Sequence, residues 1–387
     1  MTTASTEQIF GIARPEVGGL PAYNAGLSSD LVRQRYGVDH IARLGSNENP
    51  SGPSRAVVLA LSGLAQSAGR YPDANCLALR AAIAGRTGVQ QSEVVVGNGS
   101  ENLLELLCLA FLSRGDRVVT LRPSFGLHEI FPRMMGAQVD MVAVTPAMEF
   151  DVTAWCAALA GGPRPAKLAI LSNPSNPVGC MLDAAAFDRI VRAAPAETLL
   201  VIDEAYYEYA SQSPGFADAL ARLRQTDRHW IVLRTFSKAW GLAGLRVGYG
   251  LASHAGLVQM LDRVRTPFNV NMAAQMAALA AWGDPDHMMT SVRHTVAQRD
   301  LMAIQLGALG VTVAPSAANF LFLDLHRPNG QVAEALLSQG IIIKPWKETG
   351  YETFIRVSVG IEADNQRFIA ALADILRQGT CAAPRKH

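Results

Sequence analysis

A single lysine stands in an apolar, glycine-rich stretch of the chain. The stretch reads LRTFSKAWGLAGLRVGYG over residues 233–250 and contains Thr235, Ser237, Lys238 and Arg246. A lysine removed from water has a lowered pKa because desolvation disfavours the ammonium, and the neutral amine is a nucleophile. An exposed loop lysine is the alternative, which the low charge of the flanking residues disfavours. The stretch therefore predicts a nucleophilic amine beside a cation and two hydroxyls.

A carboxylate closes a wholly apolar run in LLVIDEAYYEY, residues 199–209. Asp203 ends the run, and Tyr206 follows it closely. A carboxylate at the mouth of a buried strand is unfavourable unless a cation or a proton donor faces it. We therefore predict that Asp203 faces such a group, although capping of the next turn is an alternative. The adjacent Glu204 is interpreted as a structural hydrogen-bonding or ion-pairing residue.

Two further stretches combine a strand with a polar turn. VVVGNGSENLLELL, residues 94–107, passes through Gly99 and Ser100 into a helix whose first amides could bind an anion. It lacks Gly-Lys-Ser/Thr, which argues against a nucleotide P-loop. ILSNPSNPVG, residues 170–179, turns tightly after a strand and could direct Asn176 into a site. Ordinary turn chemistry is the alternative for both stretches, with Ser100 as the helix N-cap in the first.

The four stretches together supply a phosphate seat, an amide, a buried carboxylate near a phenol, and a reactive lysine near a cation. Pyridoxal phosphate requires this combination. Its aldehyde reacts with a lysine, and its ring nitrogen needs an acid partner to stay protonated and accept electrons. Its phosphate needs N–H donors and an arginine. We therefore predict pyridoxal 5'-phosphate as the cofactor and no metal.

These side chains require a sheet to position them. Short apolar runs alternate with helical patterns, which is typical of an α/β protein whose mostly parallel sheet is flanked by helices. Ligands of such sheets bind at the carboxyl ends of the strands. The predicted strands cover residues 94–96, 118–121, 139–144, 168–171, 199–202, 231–233 and 247–251.

The last third of the chain predicts a smaller α+β domain. A helical stretch at 286–309 precedes strands at 320–325, 341–343 and 354–359, and a helix at 362–378 ends the pattern. The first fifty residues, rich in Gly, Pro and Asn, predict an arm and a connecting strand. The predicted divisions are an N-terminal arm with part of the small domain at 1–50, a large cofactor-binding domain at 51–285, and the C-terminal small domain at 286–387.

The overall composition excludes several classes of protein. The 387 residues are 49% hydrophobic and 17% charged, and their formal net charge is +1. No basic or acidic block stands out, so neither nucleic acid nor a membrane is an expected partner. The first residues lack the layout of a signal peptide. Five dispersed cysteines predict reduced thiols in a cytoplasmic protein, and they indicate neither a disulfide framework nor a zinc site.

The sequence resembles the fold-type I pyridoxal-phosphate aminotransferases, and most of all their histidinol-phosphate aminotransferase branch. The resemblance covers nearly the whole chain, from GLPAYNAG at 19–26 to FIRVSVG at 354–360. Its most specific segments are the Asn-Glu-Asn-Pro box in LGSNENPSGPS and the Ser-Lys that precedes GLAGLRVGY. The other matching segments are RYPDAN (70–75), GNGSENLLELL (97–107), NPSNPVG (173–179), VIDEAYYEY (201–209), PFNVN (267–271) and ANFLF (318–322).

The resemblance implies a role for each matched residue around the cofactor. Lys238 would bind the aldehyde and later move the proton between the substrate α-carbon and the cofactor C4′. Asp203 would pair with the ring nitrogen, and Phe125 would stack on the ring. Tyr206 and Asn176 would hydrogen-bond the phenolic oxygen. The phosphate would be held by the backbone of Gly99, Ser100 and Glu101 and by the side chains of Thr235, Ser237 and Arg246.

The resemblance also implies how substrates and a second subunit meet the site. Tyr71 would reach the phosphate from a partner subunit, which predicts a homodimer with shared active sites. Arg356 would bind the α-carboxylate of glutamate and would also meet the phosphate of the other substrate. Tyr23 and Asn49 would line the substrate pocket.

Three positions depart from the family pattern. Phe125 stands where many relatives have tyrosine, so stacking remains while a hydroxyl contact is lost. Val178 replaces a common threonine. Lys344, in IIIKPW, stands where relatives often have arginine, which would change how an anionic substrate tail is held. The lone His128 is interpreted as a packing or rim residue rather than as a proton shuttle.

The expected activity is that of a homodimeric, cytoplasmic aminotransferase with a ping-pong mechanism. The expected substrates are the amino donor L-histidinol phosphate and the 2-oxo acid 2-oxoglutarate, which places the protein in histidine biosynthesis. An aromatic amino-acid aminotransferase is an open alternative of the same class. A pyridoxal-phosphate decarboxylase of a phosphorylated amino acid and a non-catalytic binding module are alternatives of other classes. The intact lysine, aspartate and arginine set disfavours the binding module.

Overall fold

The computed structural model describes residues 11–21 and 26–378. The strands in these residues, numbered β1–β13 in chain order, are Ala42–Arg43, Val94–Gly97, Arg117–Arg122, Gln138–Ala143, Leu168–Ser172, Leu199–Asp203, Trp230–Thr235, Gly248–Ala252, Thr312–Val313, Phe320–Asp324, Ile341–Ile342, Lys344–Pro345 and Phe354–Ser358. The α-helices with described bounds, numbered α1–α15, are Pro15–Gly18, Ser29–Tyr36, Arg55–Leu61, Leu77–Thr87, Ser100–Phe111, Leu127–Met134, Val152–Ala160, Ala184–Ala193, Tyr207–Ala210, Ala219–Leu223, Ala255–Val264, Met272–Trp282, Pro285–Ala308, Asn329–Leu337 and Glu362–Gln378.

Seven strands form the central sheet, in the order β2-β8-β7-β6-β5-β3-β4. Strand β8 pairs antiparallel with both β2 and β7, and every other pair is parallel. All seven strands that the sequence predicted for this sheet are present. The predicted α/β fold with a mostly parallel sheet is therefore confirmed.

Each face of the sheet has its own apolar core. Along β6, Leu200 and Ile202 enter one cluster, while Leu199 and Val201 enter another. Successive side chains of a strand point to opposite faces, so both faces of β6 are covered by packed elements. This explains the continuous apolar run that precedes Asp203.

The sheet register brings the polar strand ends to one edge. Asp203, the last residue of β6, is paired with Ser172 of β5 and with Leu233 of β7. Thr235 ends β7 and is paired with Gly248 of β8. Because the carboxyl ends of parallel strands form the ligand-binding edge of an open sheet, a site is expected here.

Helix α5 approaches the same edge with its N-terminus. It begins at Ser100, directly after Gly99, whose φ of 84° is in the left-handed region. A side chain at Gly248 of β8 would collide with the backbone nitrogen of Ser100. The absence of a Cβ at Gly248 therefore permits the close contact between β8 and the first turn of α5.

The last part of the chain forms a second, smaller sheet with its own core. Its four strands run in the order β12-β13-β10-β9, and all their pairs are antiparallel. A separate apolar cluster joins residues 302–372 to Ala42 and Leu44 from the N-terminal segment. Strand β1 reaches this region by pairing parallel with β11. The domain boundaries at residues 50 and 285 stay a prediction.

The strand predicted at 341–343 is divided in the structure. Ile341 and Ile342 pair with β1, whereas Lys344 and Pro345 pair with β13. The chain thus changes partners at Ile343, a switch that an uninterrupted apolar run does not reveal. None of the helices in the described residues combines the length and the apolar character that crossing a bilayer requires.

Candidate active site

A cavity of about 420 Å³ opens at the carboxyl edge of β5, β6 and β7, and both sheets contribute to its wall. The wall residues from the central part of the chain are Ser100, Glu101, Ser124, Phe125, Gly126, Glu129, Ile130, Met141, Ser172, Asn176, Asp203, Ala205, Tyr206, Thr235, Ser237, Lys238 and Arg246. The wall residues from the two ends of the chain are Pro21, Gly45, Ser46, Asn47, Lys344, Pro345, Trp346, Lys347, Glu348 and Arg356.

Asp203 is held on both carboxylate oxygens. Its Oδ1 accepts a hydrogen bond from the backbone N–H of Ala205 at 3.0 Å, and its Oδ2 lies 3.0 Å from Nε2 of His128. Nδ1 of His128 lies in turn 3.0 Å from Oγ of Ser124. All three polar side chains are buried. The carboxylate therefore has a fixed orientation at the floor of the cavity.

Lys238 presents an amine of lowered basicity to the cavity. Its Nζ donates a hydrogen bond to the carbonyl of Ser46 at 3.2 Å and lies 5.9 Å from the ring centroid of Tyr206. Burial, together with the charge of the nearby Arg356 guanidinium, lowers the pKa of the amine to about 8. The fraction of Lys238 that is neutral and nucleophilic near neutral pH is consequently larger than that of an ordinary lysine.

Tyr206 and Asn176 line the same cavity and have different hydrogen-bond partners. The Tyr206 hydroxyl accepts a hydrogen bond from Nδ2 of Asn47 at 2.9 Å. Oδ1 of Asn176 accepts one from Nη1 of Arg356 at 2.6 Å. Asn176 thus touches the guanidinium expected to bind a carboxylate, so one amide connects the two halves of the cavity wall.

An anion cradle lies at the N-terminus of α5. Nη2 of Arg246 lies 3.1 Å from Oε1 of Glu101, and its Nη1 lies 3.5 Å from Oγ of Ser237. Thr235 accepts a hydrogen bond from the backbone N–H of Ser237 at 3.1 Å. A Cβ at Gly99 would come within 2.6 Å of Nη2 of Arg246, so the glycine leaves room for the guanidinium. Backbone amides, two hydroxyls and a guanidinium around one space suit a phosphate.

The small-domain wall carries a second group of cations. Nη2 of Arg356 donates to the carbonyl of Gly45 at 2.7 Å, and Lys344 is the cross-strand neighbour of Arg356. Burial lowers the pKa of Lys344, and the charges of Arg356 and Lys347 add to this effect. Three cations on one wall favour a substrate with more than one negative charge.

Two residues from the sequence prediction, Asn49 and Tyr71, do not line this cavity. Asn49 is not in the cavity wall: its Nδ2 donates to the carbonyl of Ala239 at 2.8 Å and its Oδ1 accepts from Ser291 at 2.8 Å. In this structure Asn47 of the same box lines the cavity, and a substrate contact for Asn49 stays a prediction. Tyr71 is 79% exposed. Tyr23 lies outside the described residues.

The sequence interpretation underestimated His128. The structure shows a fully buried ring bound to Asp203, which is not a rim position. The spacing of Ser124 and His128 by one helical turn was the available signal, but their partner is distant in sequence. Phe125 lines the cavity with its ring in edge contact with His128, at 5.5 Å between centroids. Glu204 forms the predicted ion pair, with Arg234 at 2.8 Å.

Comparison with known protein families shows which family the chain belongs to. The model of the family described as aminotransferase class I and II matches residues 39–372. The chain belongs to this family. It is 45% identical over 362 residues to histidinol-phosphate aminotransferase 3 of Rhizobium meliloti, with 94% of this chain and 97% of the relative covered. It is also 45% identical to histidinol-phosphate aminotransferase 1 of Mesorhizobium japonicum, with 94% of this chain and 98% of the relative covered.

A solved structure supports the same assignment. The aminotransferase matches a histidinol-phosphate aminotransferase from Sinorhizobium meliloti, solved in complex with pyridoxal-5'-phosphate. The TM-score is 0.85 at 28% identity, and the match covers 95% of this chain and 98% of the other. Pyridoxal phosphate is therefore the cofactor, as the sequence predicted.

The residues of this chain fit that group. The cavity offers an amine for an aldehyde in Lys238 and an anion cradle at Arg246 and Ser237. It also offers an acid in Asp203, which is already supported by His128. These three features lie on one sheet edge, as a ring with an aldehyde, a basic nitrogen and a phosphate requires.

Proposed function

We propose that this aminotransferase moves an amino group from L-histidinol phosphate to 2-oxoglutarate, as a cytoplasmic homodimer in histidine biosynthesis. The identity of 45% to two enzymes of that name, over 94% of this chain, supports the choice of substrate. The observation that carries the proposal is that the Lys238 amine lines one cavity together with Asp203 and with the cations Arg356 and Lys344.

The residues divide the chemistry between them. When bound, pyridoxal phosphate supplies an aldehyde for amines and a protonated ring that accepts electrons from the substrate α-carbon. Lys238 would bind the aldehyde, and its Nζ, freed when the substrate amine takes its place, would move the proton from the substrate α-carbon to the cofactor C4′. Asp203 would hold a proton at the ring nitrogen. Tyr206 and Asn176 would donate to the ring oxygen.

Substrate recognition would fall to the cationic wall. Arg356 presents a guanidinium to the cavity and would bind the carboxylate of glutamate or 2-oxoglutarate. Lys344, its cross-strand neighbour, would add charge for the phosphate of histidinol phosphate. A ring substrate that carries an anionic group fits this combination of cations with the aromatic Phe125 and Trp346.

The proposed dimer rests on an exposed aromatic pair. Tyr71 stacks on Phe268 with 4.3 Å between ring centroids, and both rings are exposed in the single chain. A tyrosine held outward in this way is suited to insertion into the site of a partner. Hybrid dimers of Lys238→Ala and Tyr71→Ala subunits are expected to regain activity, because one of their two sites would be intact. Absence of recovery in verified hybrids would contradict shared sites.

The substrate proposal is tested by comparing donors. Purified enzyme is given histidinol phosphate, phenylalanine or tyrosine with 2-oxoglutarate, and glutamate formation is measured. Histidinol phosphate is expected to have the highest kcat/KM. A preference for phenylalanine by orders of magnitude would make the protein an aromatic amino-acid aminotransferase. Release of CO₂ without glutamate formation would make it a decarboxylase.

A further inference from the structure

The cavity wall from the small domain is fastened to the end of β3. Nη2 of Arg122, the last residue of that strand, donates to the carbonyl of Thr349 at 2.7 Å. Nε of Arg122 lies 3.8 Å from Oε1 of Glu348. The backbone N–H of Ser124 also faces the Glu348 carboxylate. A displacement of β3 would therefore also displace the segment from Lys344 to Thr349.

Glu348 is held within this segment as well. Its Oε2 accepts a hydrogen bond from Nε1 of Trp346 at 2.8 Å. Trp346 is fixed in turn, because its carbonyl accepts from Asn329 at 2.8 Å and its ring contacts the edge of Phe322. One carboxylate thus connects a cavity-wall aromatic on the small domain with the strand end that leads to Ser124.

Ser124 continues the connection into the floor of the site. Its Oγ lies 3.0 Å from Nδ1 of His128, and Nε2 of the same ring lies 3.0 Å from Oδ2 of Asp203. These three side chains are buried, so water does not compete for their hydrogen bonds. Glu348, 3.8 Å from Arg122 and close to the backbone N–H of Ser124, therefore adjoins a row of hydrogen-bonding side chains that runs from Ser124 to the carboxylate at the end of β6.

We propose that Glu348 is a positioning residue for Asp203 and acts through Ser124 and His128. This inference rests on the proposed function, since it concerns the acid that would face the cofactor ring. The partner of one imidazole nitrogen determines which tautomer the ring adopts and what the other nitrogen offers. Displacing Ser124 would change what His128 presents to Asp203. A movement of the small-domain wall of the cavity would change the surroundings of Asp203 through the same contacts.

The charges that face Glu348 come from three elements. Arg122 approaches from β3, Glu129 from α6, and Tyr351 from the segment that follows Glu348. Burial raises the pKa of Glu348, whereas Trp346, Ser124 and Arg122 oppose the rise.

The test compares two glutamates on the same segment in the holoenzyme. Glu348→Ala removes the contact, and Glu352→Ala is the matched control, because Glu352 is exposed and accepts from the Gly350 N–H at 2.9 Å. The His128 imidazole is followed by NMR with ¹⁵N-histidine, and its signals are assigned with His128→Gln. The visible absorption of the enzyme is titrated with pH in parallel. Both readouts are independent of turnover.

Glu348→Ala is expected to shift the His128 signals and to move the midpoint of the visible titration by about half a pH unit. It is also expected to lower kcat by roughly tenfold. Glu348→Gln keeps an acceptor for the Trp346 and Ser124 N–H groups and is expected to restore the His128 signals and most of kcat. The Glu352→Ala control should resemble the wild type in every readout.

The proposal is overturned if Glu348→Ala leaves the His128 signals and the titration midpoint unchanged, even where it lowers Tm. It is also overturned if Glu348→Gln behaves as Glu348→Ala does. Wild-type enzyme that transfers no amino group from any donor would refute the proposed function instead. In that case the His128 signals would still decide whether Glu348 acts on Asp203.

Discussion

The two walls of the cavity are built differently. The floor belongs to fully buried strands of five and six residues and to the connection that carries Lys238, and its carboxylate Asp203 is fixed by His128. The opposite wall is made from a two-residue strand, β12, and from β13, and it presents cations. The chemistry that all substrates share is thus held at the edge of the central sheet, and part of the recognition that differs between substrates, at Lys344, is held by the much shorter strand β12.

The largest effect is expected where the floor supplies the nucleophile. Lys238→Ala removes the amine and should lower kcat by roughly 10⁴-fold or more, with loss of the yellow absorption of the covalently held cofactor. Absorption spectra and a glutamate assay measure both. Lys167→Ala is the matched control, since Lys167 is exposed at the opposite end of β5. Substantial turnover by Lys238→Ala would contradict the assignment of the nucleophilic amine to the floor of the cavity.

Asp203→Asn is expected to have the next largest effect. It preserves the shape and an acceptor for the Ala205 N–H, but it turns an NH2 group towards His128 and removes the negative charge that would stabilise a protonated ring. We expect kcat to fall by roughly 10²- to 10³-fold, with little change in KM for 2-oxoglutarate. Steady-state kinetics measure this split. A change confined to KM would assign Asp203 to the recognition wall instead.

Arg356→Met should affect recognition more than chemistry. Loss of a charge-assisted contact predicts a KM for 2-oxoglutarate that is roughly 10- to 100-fold higher.

The same variant tests the coupling between the walls. Arg356 helps to hold the pKa of Lys238 near 8, so its removal should raise that pKa toward the ordinary value of 10.5. The neutral fraction of the amine grows as pH rises through the pKa. Uptake of pyridoxal phosphate by the apoprotein should therefore level off above about pH 8 in the wild type. In the variant, the plateau should move to higher pH. An unmoved plateau would mean that the charge of Arg356 does not affect the pKa of Lys238.

The smallest effect is expected at Lys344. Lys344→Arg introduces a planar guanidinium, and it should change kcat/KM for histidinol phosphate by roughly threefold while leaving kcat/KM for phenylalanine unaffected. Donor competition assays measure the ratio. Equal changes for both donors would mean that Lys344 does not sense the substrate phosphate.

The sequence was sufficient to predict the elements and the strand-end residues because these are local patterns. An apolar run that ends in Asp203 and a glycine-rich turn that precedes Ser100 can be read without a partner. The Asp203–His128 contact joins β6 to α6, and no local pattern contains it. The choice between Asn47 and Asn49 was equally inaccessible, because both belong to one box and only packing against Tyr206 or Ala239 distinguishes them.

Strand β8 runs back beside β7, so one short connection, residues 236–247, carries both Lys238 and Arg246. The amine that would hold one end of the coenzyme and the guanidinium that would hold the other are therefore spaced by a single covalent segment anchored at both ends. An insertion in this connection would change the distance between the Lys238 amine and the Arg246 guanidinium. Exchange of the small domain would leave that distance untouched, which makes the small domain the natural place to engineer a new substrate preference.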